Sequence, residues 1–90
     1  MNNDRRKAIA KLHSEIEELQ GKLNDIRDQI ETIKDEEQEV YDNMPESFQQ
    51  GEKGDAAQAA ADNLDSAFGS VDEAVEMLNN ALSSLDDAGQ

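Results

Sequence analysis

The residues best suited to ligand chemistry lie near the middle of the chain. Between Tyr41 and Gly54 the sequence holds its only Tyr, one of its two Phe residues, three side-chain amides and a Lys. Aromatic rings stack on planar ligands, amides bond to their polar edges, and an ammonium group pairs with phosphate. These properties predict a ligand site built from Tyr41, Asn43, Phe48, Gln49 and Lys53. The alternative interpretation is a structural clasp, in which the aromatic residues pack over the end of a helical bundle.

A second group of candidate residues is basic. The chain has 22 acidic and 8 basic residues, giving a net charge of −14. A phosphate would therefore need a local concentration of positive charge, and the densest one is Arg5, Arg6, Lys7 and Lys11. These four residues are candidate phosphate-binding groups. Direct binding to nucleic acid is not expected, because nucleic-acid-binding proteins carry a basic face.

Other kinds of chemistry lack the residues that they need. The chain has no Cys and a single His, His13, which is expected to be a solvated or rim residue. Neither a Ser-His-Asp triad nor a phosphate-binding glycine loop can be assembled from this sequence. The prediction is a protein without enzyme activity, without a metal site and without a cofactor.

A regular apolar repeat predicts the element that precedes these central residues. Apolar residues alternate at steps of three and four, which is typical of a coiled coil. They predict a helix over about residues 4–42, with Asp4 as its N-cap. The a positions are Ile9, Ile16, Leu23, Ile30, Glu37 and Met44, and the d positions are Leu12, Leu19, Ile26, Ile33 and Val40.

The second half carries another heptad pattern, together with a line of alanines at every seventh residue. This pattern predicts a helix over about residues 55–87 with a wide apolar face, and Asp55 with Gln58 would form its capping box. The connector between the helices covers about residues 43–54, where Gly51 and Gly54 would let the chain reverse. The residues predicted to form an oligomer core are Ile16, Leu23, Ile30, Leu64, Phe68, Val71, Leu78 and Leu82.

These elements predict one all-α domain, a long antiparallel hairpin of two coiled-coil helices. The apolar faces exceed what two helices cover on each other, so we expect hairpins to assemble into an oligomeric bundle, a dimer or higher. No apolar run reaches the roughly 20 residues of a membrane span, and no signal peptide is predicted. The cytoplasm is the expected compartment.

The connector resembles a signature of small acidic proteins from tailed bacteriophages and prophages. The resemblance is carried by Asp35-Glu36-Glu37-Gln38-Glu39, by Tyr41-Asp42-Asn43-Met44-Pro45-Glu46-Ser47 and by Glu52-Lys53-Gly54. In those proteins it likewise separates a coiled-coil segment from an acidic helix rich in Ala and Leu. The resemblance implies a viral origin, and hence the cytoplasm of an infected host cell, more than it implies a mechanism.

Three functions follow as hypotheses. The first is an anti-defence sponge, an oligomer that sequesters a small host signal such as a cyclic nucleotide or an ADP-ribose derivative. The second is an acidic inhibitor that binds a host defence protein, including by imitating DNA. The third is a structural or assembly coiled coil of a phage.

Overall fold

The computed structural model describes all 90 residues of the chain and contains only helices. The first helix, α1, spans Asn3–Asp42, the short α2 spans Glu46–Gln49, and α3 spans Glu52–Ala88. The predicted all-α fold is confirmed. No helix has an apolar stretch long enough to cross a membrane.

The N-terminus of α1 corrects one prediction. Asn2, and not Asp4, is the N-cap, because its side-chain oxygen accepts a hydrogen bond from the backbone N–H of Arg5 at 2.9 Å. Asp4 lies inside the first turn, where its negative charge complements the positive end of the helix dipole.

The connector is shorter than predicted, because α3 begins at Glu52 and not at Asp55. Gly51 precedes it as an N-cap without a side-chain hydrogen bond, so the predicted capping box of Asp55 and Gln58 does not start the helix. No glycine has a positive φ, so the reversal does not depend on left-handed backbone. Gly54 instead allows the backbone at Gln49 to lie close to the start of α3, because a Cβ on this residue would collide with that backbone.

The two long helices pack antiparallel and form a rod of 68 × 15 × 13 Å. Their shared interior is thin. Only 4 of the 90 residues are buried, and α1 contributes none of them. The buried residues are Gly54, Ala57, Ala61 and Val75, so small side chains bring α3 close to its neighbours.

Candidate functional site

A ladder of polar contacts fixes the register of the two long helices. The His13 Nε2 atom lies 3.1 Å from a carboxylate oxygen of Asp86. The Lys34 ammonium lies 3.5 Å from the carboxylate of Asp65. Between these contacts come two more, from Gln20 to Asn79 and from Arg27 to Asp72. Every rung is seven residues from the next on both helices, so the ladder runs along one edge of the hairpin.

His13 lies at the rim of the contact between the two long helices, which is one of the two placements that the sequence predicted. Its ring is half-buried, and its other nitrogen, Nδ1, lies 3.0 Å from a carboxylate oxygen of Glu17 on the same helix. The ring thus joins the two helices near the open end of the hairpin. The remaining rungs use the same heptad position of α1, the e position.

Arg27 is the most connected residue of the ladder. Its guanidinium donates to Asp72 at 2.9 Å, contacts Asp28 at 3.3 Å and lies 5.9 Å from the centre of the Phe68 ring. The hydrogen bond with Asp72 raises the pKa of Arg27 above its usual range. Through these contacts Arg27 holds the middle of α1 against α3.

Reversing the charges of the rung between Arg27 and Asp72 tests the antiparallel register. In Arg27→Glu a carboxylate faces Asp72, and in Asp72→Arg two guanidinium groups face each other. Each single variant should melt at a lower temperature than the wild type. The double variant should recover most of the loss, because it places opposite charges together again and the free-energy effects of substitutions at residues in contact do not simply add. A double variant whose loss is the sum of the two single losses would contradict the antiparallel register.

The ladder changes the interpretation of the heptad repeat in α1. The helix turns its a and e positions toward α3, so a is half-buried and the d positions point away. Exposure of the five d side chains lies between 46% and 51%. We call these residues the d stripe; they are Leu12, Leu19, Ile26, Ile33 and Val40. A single hairpin thus leaves half of the predicted coiled-coil seam without a partner.

The apolar side of α3 lies on the same edge of the hairpin as the d stripe. In each long helix the ladder residues lie on one side of the row of residues that faces the other helix. Helical periodicity therefore places the residues on the other side of that row at the opposite edge of the hairpin. On α3 these are Leu64, Val71 and Leu78, which are half-buried, with the alanine line beside them. The d stripe and these three residues form what we call the open face.

The predicted oligomer core is only partly covered within one chain. All eight of its residues are half-buried, and none is buried. The chain exposes 6427 Å². A compact monomer of 9.9 kDa exposes about 5,200 Å², so this hairpin carries an excess of about 1,200 Å².

The connector residues predicted to bind a ligand form two small contacts. The Gln49 side-chain amide donates to the backbone carbonyl of Tyr41 at 3.0 Å, and the Lys53 ammonium lies 5.7 Å from the centre of the Phe48 ring. The Asn43 backbone caps the end of α1. None of the five lines either of the two pockets in the structure. Phe48 is 52% exposed, so its ring does not pack over the end of the helix pair, and both the clasp and the ligand role stay predictions.

The predicted phosphate-binding residues Arg5, Arg6, Lys7 and Lys11 are exposed and form no ion pair within the chain. Arg6 alone of the four lines a pocket, an open cavity of about 400 Å³ at the end of the rod away from the connector. His13, Ser14 and Asp86 also line it. The sequence did not indicate this pocket, because it forms where the end of α3 meets α1.

No three His, Cys, Asp or Glu side chains are grouped so that they could hold a metal ion.

Comparison with known proteins gives no match to a protein-family model, a curated protein or a solved structure. The resemblance of the connector to phage proteins therefore stays a hypothesis.

Proposed function

We propose that this protein is a non-enzymatic helical-hairpin module that works as a homo-oligomer. The observation that carries the proposal is the d stripe, a continuous apolar line on α1 that its own α3 does not cover. Helices of a four-helix bundle present apolar residues to two neighbours, which requires an apolar face wider than one seam. The hairpin has that width but supplies only one neighbour.

The energetics of the single chain support the same proposal. A hairpin with three buried apolar residues gains little from burial, while ordering its backbone costs about 1–2 kcal/mol per residue. Covering the excess surface of two copies would bury about 2,400 Å², which is in the range of obligate dimers. No polar or charged side chain is buried, so the molecule offers no sheltered acid or base. The large interface and the lack of a sheltered acid or base support a role of the protein in assembly and binding.

Thermal melting tests the proposal. If folding and association are coupled, the melting temperature rises with protein concentration by mass action. Raising the concentration from about 1 µM to about 100 µM should shift the melting curve by several degrees. A melting temperature that is independent of concentration, with a cooperative transition, would show a hairpin that folds alone and would overturn the proposal.

A second candidate function is the capture of a small phosphorylated molecule, such as a cyclic nucleotide or an ADP-ribose derivative. The observation that favours it is the position of Arg6 beside His13 in the larger pocket. Arg is suited to phosphate because its guanidinium binds two oxygens at once. Asp86 lines the same pocket, so the phosphate would have to bind on the α1 side.

Ligand-induced stabilisation tests this second candidate. Cyclic AMP and ADP-ribose serve as probes, and a ligand at about 100 times its Kd stabilises the folded state by about 2.7 kcal/mol. Arg6→Ala should abolish the shift, while Lys22→Ala, which removes an exposed cation outside the pocket, should retain it. If Arg6→Ala keeps the full shift and Tyr41→Ala loses it, the connector becomes the site. No shift with either probe would leave this candidate without support.

A further inference from the structure

We infer that two copies of the hairpin pair through their open faces with their connectors at opposite ends, so that Ile26 of one copy meets Ile26 of the other. The inference rests on the proposed function, because it specifies the geometry of that self-association. Two α1 helices would then lie antiparallel at the centre of a four-helix bundle. The twofold axis would cross α1 beside Ile26.

The spacing of the d stripe supports this centre. Its five residues recur at every seventh position, and Ile26 is the third of them. The stripe is about 42 Å long at 1.5 Å per residue. An antiparallel copy centred on Ile26 places Leu12 opposite the second copy's Val40 and Leu19 opposite its Ile33. Every exposed residue of the stripe is then covered, whereas a shift by one heptad would leave one uncovered at each end.

Charge complementarity selects the antiparallel orientation. The first eleven residues contain four cations and one acid, whereas residues 35–46 contain six acids and no cation. The antiparallel pairing brings the basic end of each α1 beside the acidic end of the other. Arg5 occupies the d position before Leu12 and becomes level with the connector of the second copy, close to Glu46. A pairing with both connectors at one end would instead place like charges together at both ends of the bundle.

The shape of α1 also favours a second copy as the occupant of this face. The ladder places Ala88, where α3 ends, level with Lys11, so the first turns of α1 extend beyond α3. Arg5, Arg6 and Lys7 lie on this extension and form no ion pair within their own chain. A second hairpin in the antiparallel arrangement has the length to cover the open face and the acids to pair with the extension.

Site-specific cross-linking tests the arrangement, and the absence of Cys makes single-Cys variants unambiguous. Ile26→Cys should form a covalent dimer in high yield with a short bismaleimide cross-linker. Leu12→Cys alone should not, but an equimolar mixture of Leu12→Cys and Val40→Cys, refolded together, should cross-link. Met77→Cys is the matched control, because Met77 lies on the outer face of α3 and is 68% exposed.

The outcomes separate this inference from the proposed function. If the protein is a dimer by mass but Ile26→Cys does not cross-link, or Leu12→Cys cross-links alone as efficiently, the antiparallel geometry is wrong and self-association stands. If the wild-type protein is a monomer at micromolar concentration, both are wrong. Cross-linking of Ile26→Cys with a yield at least tenfold above that of Met77→Cys supports the inference.

Discussion

Replacing Ile26 by Asp should dissociate the proposed oligomer. The side chain is 46% exposed in the single hairpin, so the change leaves the intramolecular contacts of α1 largely intact. In the assembled bundle it would bury a carboxylate without a partner, which costs about 3–5 kcal/mol per copy. The two copies of a dimer together lose about 6–10 kcal/mol, and each 1.4 kcal/mol changes affinity tenfold, so the dissociation constant should rise by at least about ten-thousandfold. Sedimentation equilibrium at micromolar concentration measures the change.

Met77→Asp is the matched control, since it makes the same kind of change on the outer face of α3. It should leave the mass and the melting temperature almost unchanged, because Met77 is 68% exposed and faces away from both the ladder and the open face. If Ile26→Asp behaves like this control, the d stripe is ordinary surface and the open face is not an interface.

Gly54→Ala should destabilise the protein, although Ala is the better helix former. The added Cβ would collide with the backbone carbonyl of Gln49, and backbone atoms cannot move aside as the end of a flexible side chain can. Forcing an extra methyl group into such a packed position costs typically about 1–3 kcal/mol. For a domain of this size each kcal/mol lowers the melting temperature by about 4–8 °C. Thermal denaturation followed by circular dichroism gives the shift.

Gly21→Ala should stabilise the protein, in contrast to Gly54→Ala. A Cβ at Gly21 would meet nothing within 4 Å, and the residue lies in the middle of α1. The change should stabilise the helix by about 0.5–1 kcal/mol relative to Gly. A Gly54→Ala variant that is stabilised like Gly21→Ala would show that α2 does not pack closely on the start of α3.

The heptad repeat was sufficient to predict the two long helices, but not how they face each other. Periodicity identifies which residues share a face and is the same whether the partner is α3 or a second copy. The sequence therefore could not show that α1 turns its a and e positions inward and leaves Ile26 and its equivalents outside. The helix starts were also missed. Asn2 competes with Asp4, which has equal propensity as an N-cap, and Gly51 competes with Asp55, which has the higher propensity.

The polar ladder had a signal in the sequence that the apolar pattern obscured. His13, Gln20, Arg27 and Lys34 recur at every seventh residue, and their partners on α3 recur with the same period. Reading the two lines in opposite directions pairs each basic or amide side chain with an acidic or amide one. The pocket beside Arg6 had no such signal, because its walls come from residues far apart in sequence whose side chains meet only in the folded hairpin.

The molar mass of the wild-type protein at micromolar concentration shows whether the hairpin self-associates. Light scattering coupled to size exclusion gives this mass without assuming a shape, which matters for a rod 68 Å long. Self-association through the open face predicts at least twice the chain mass of 9.9 kDa, with no folded monomer. A single folded species with the mass of one chain would contradict it.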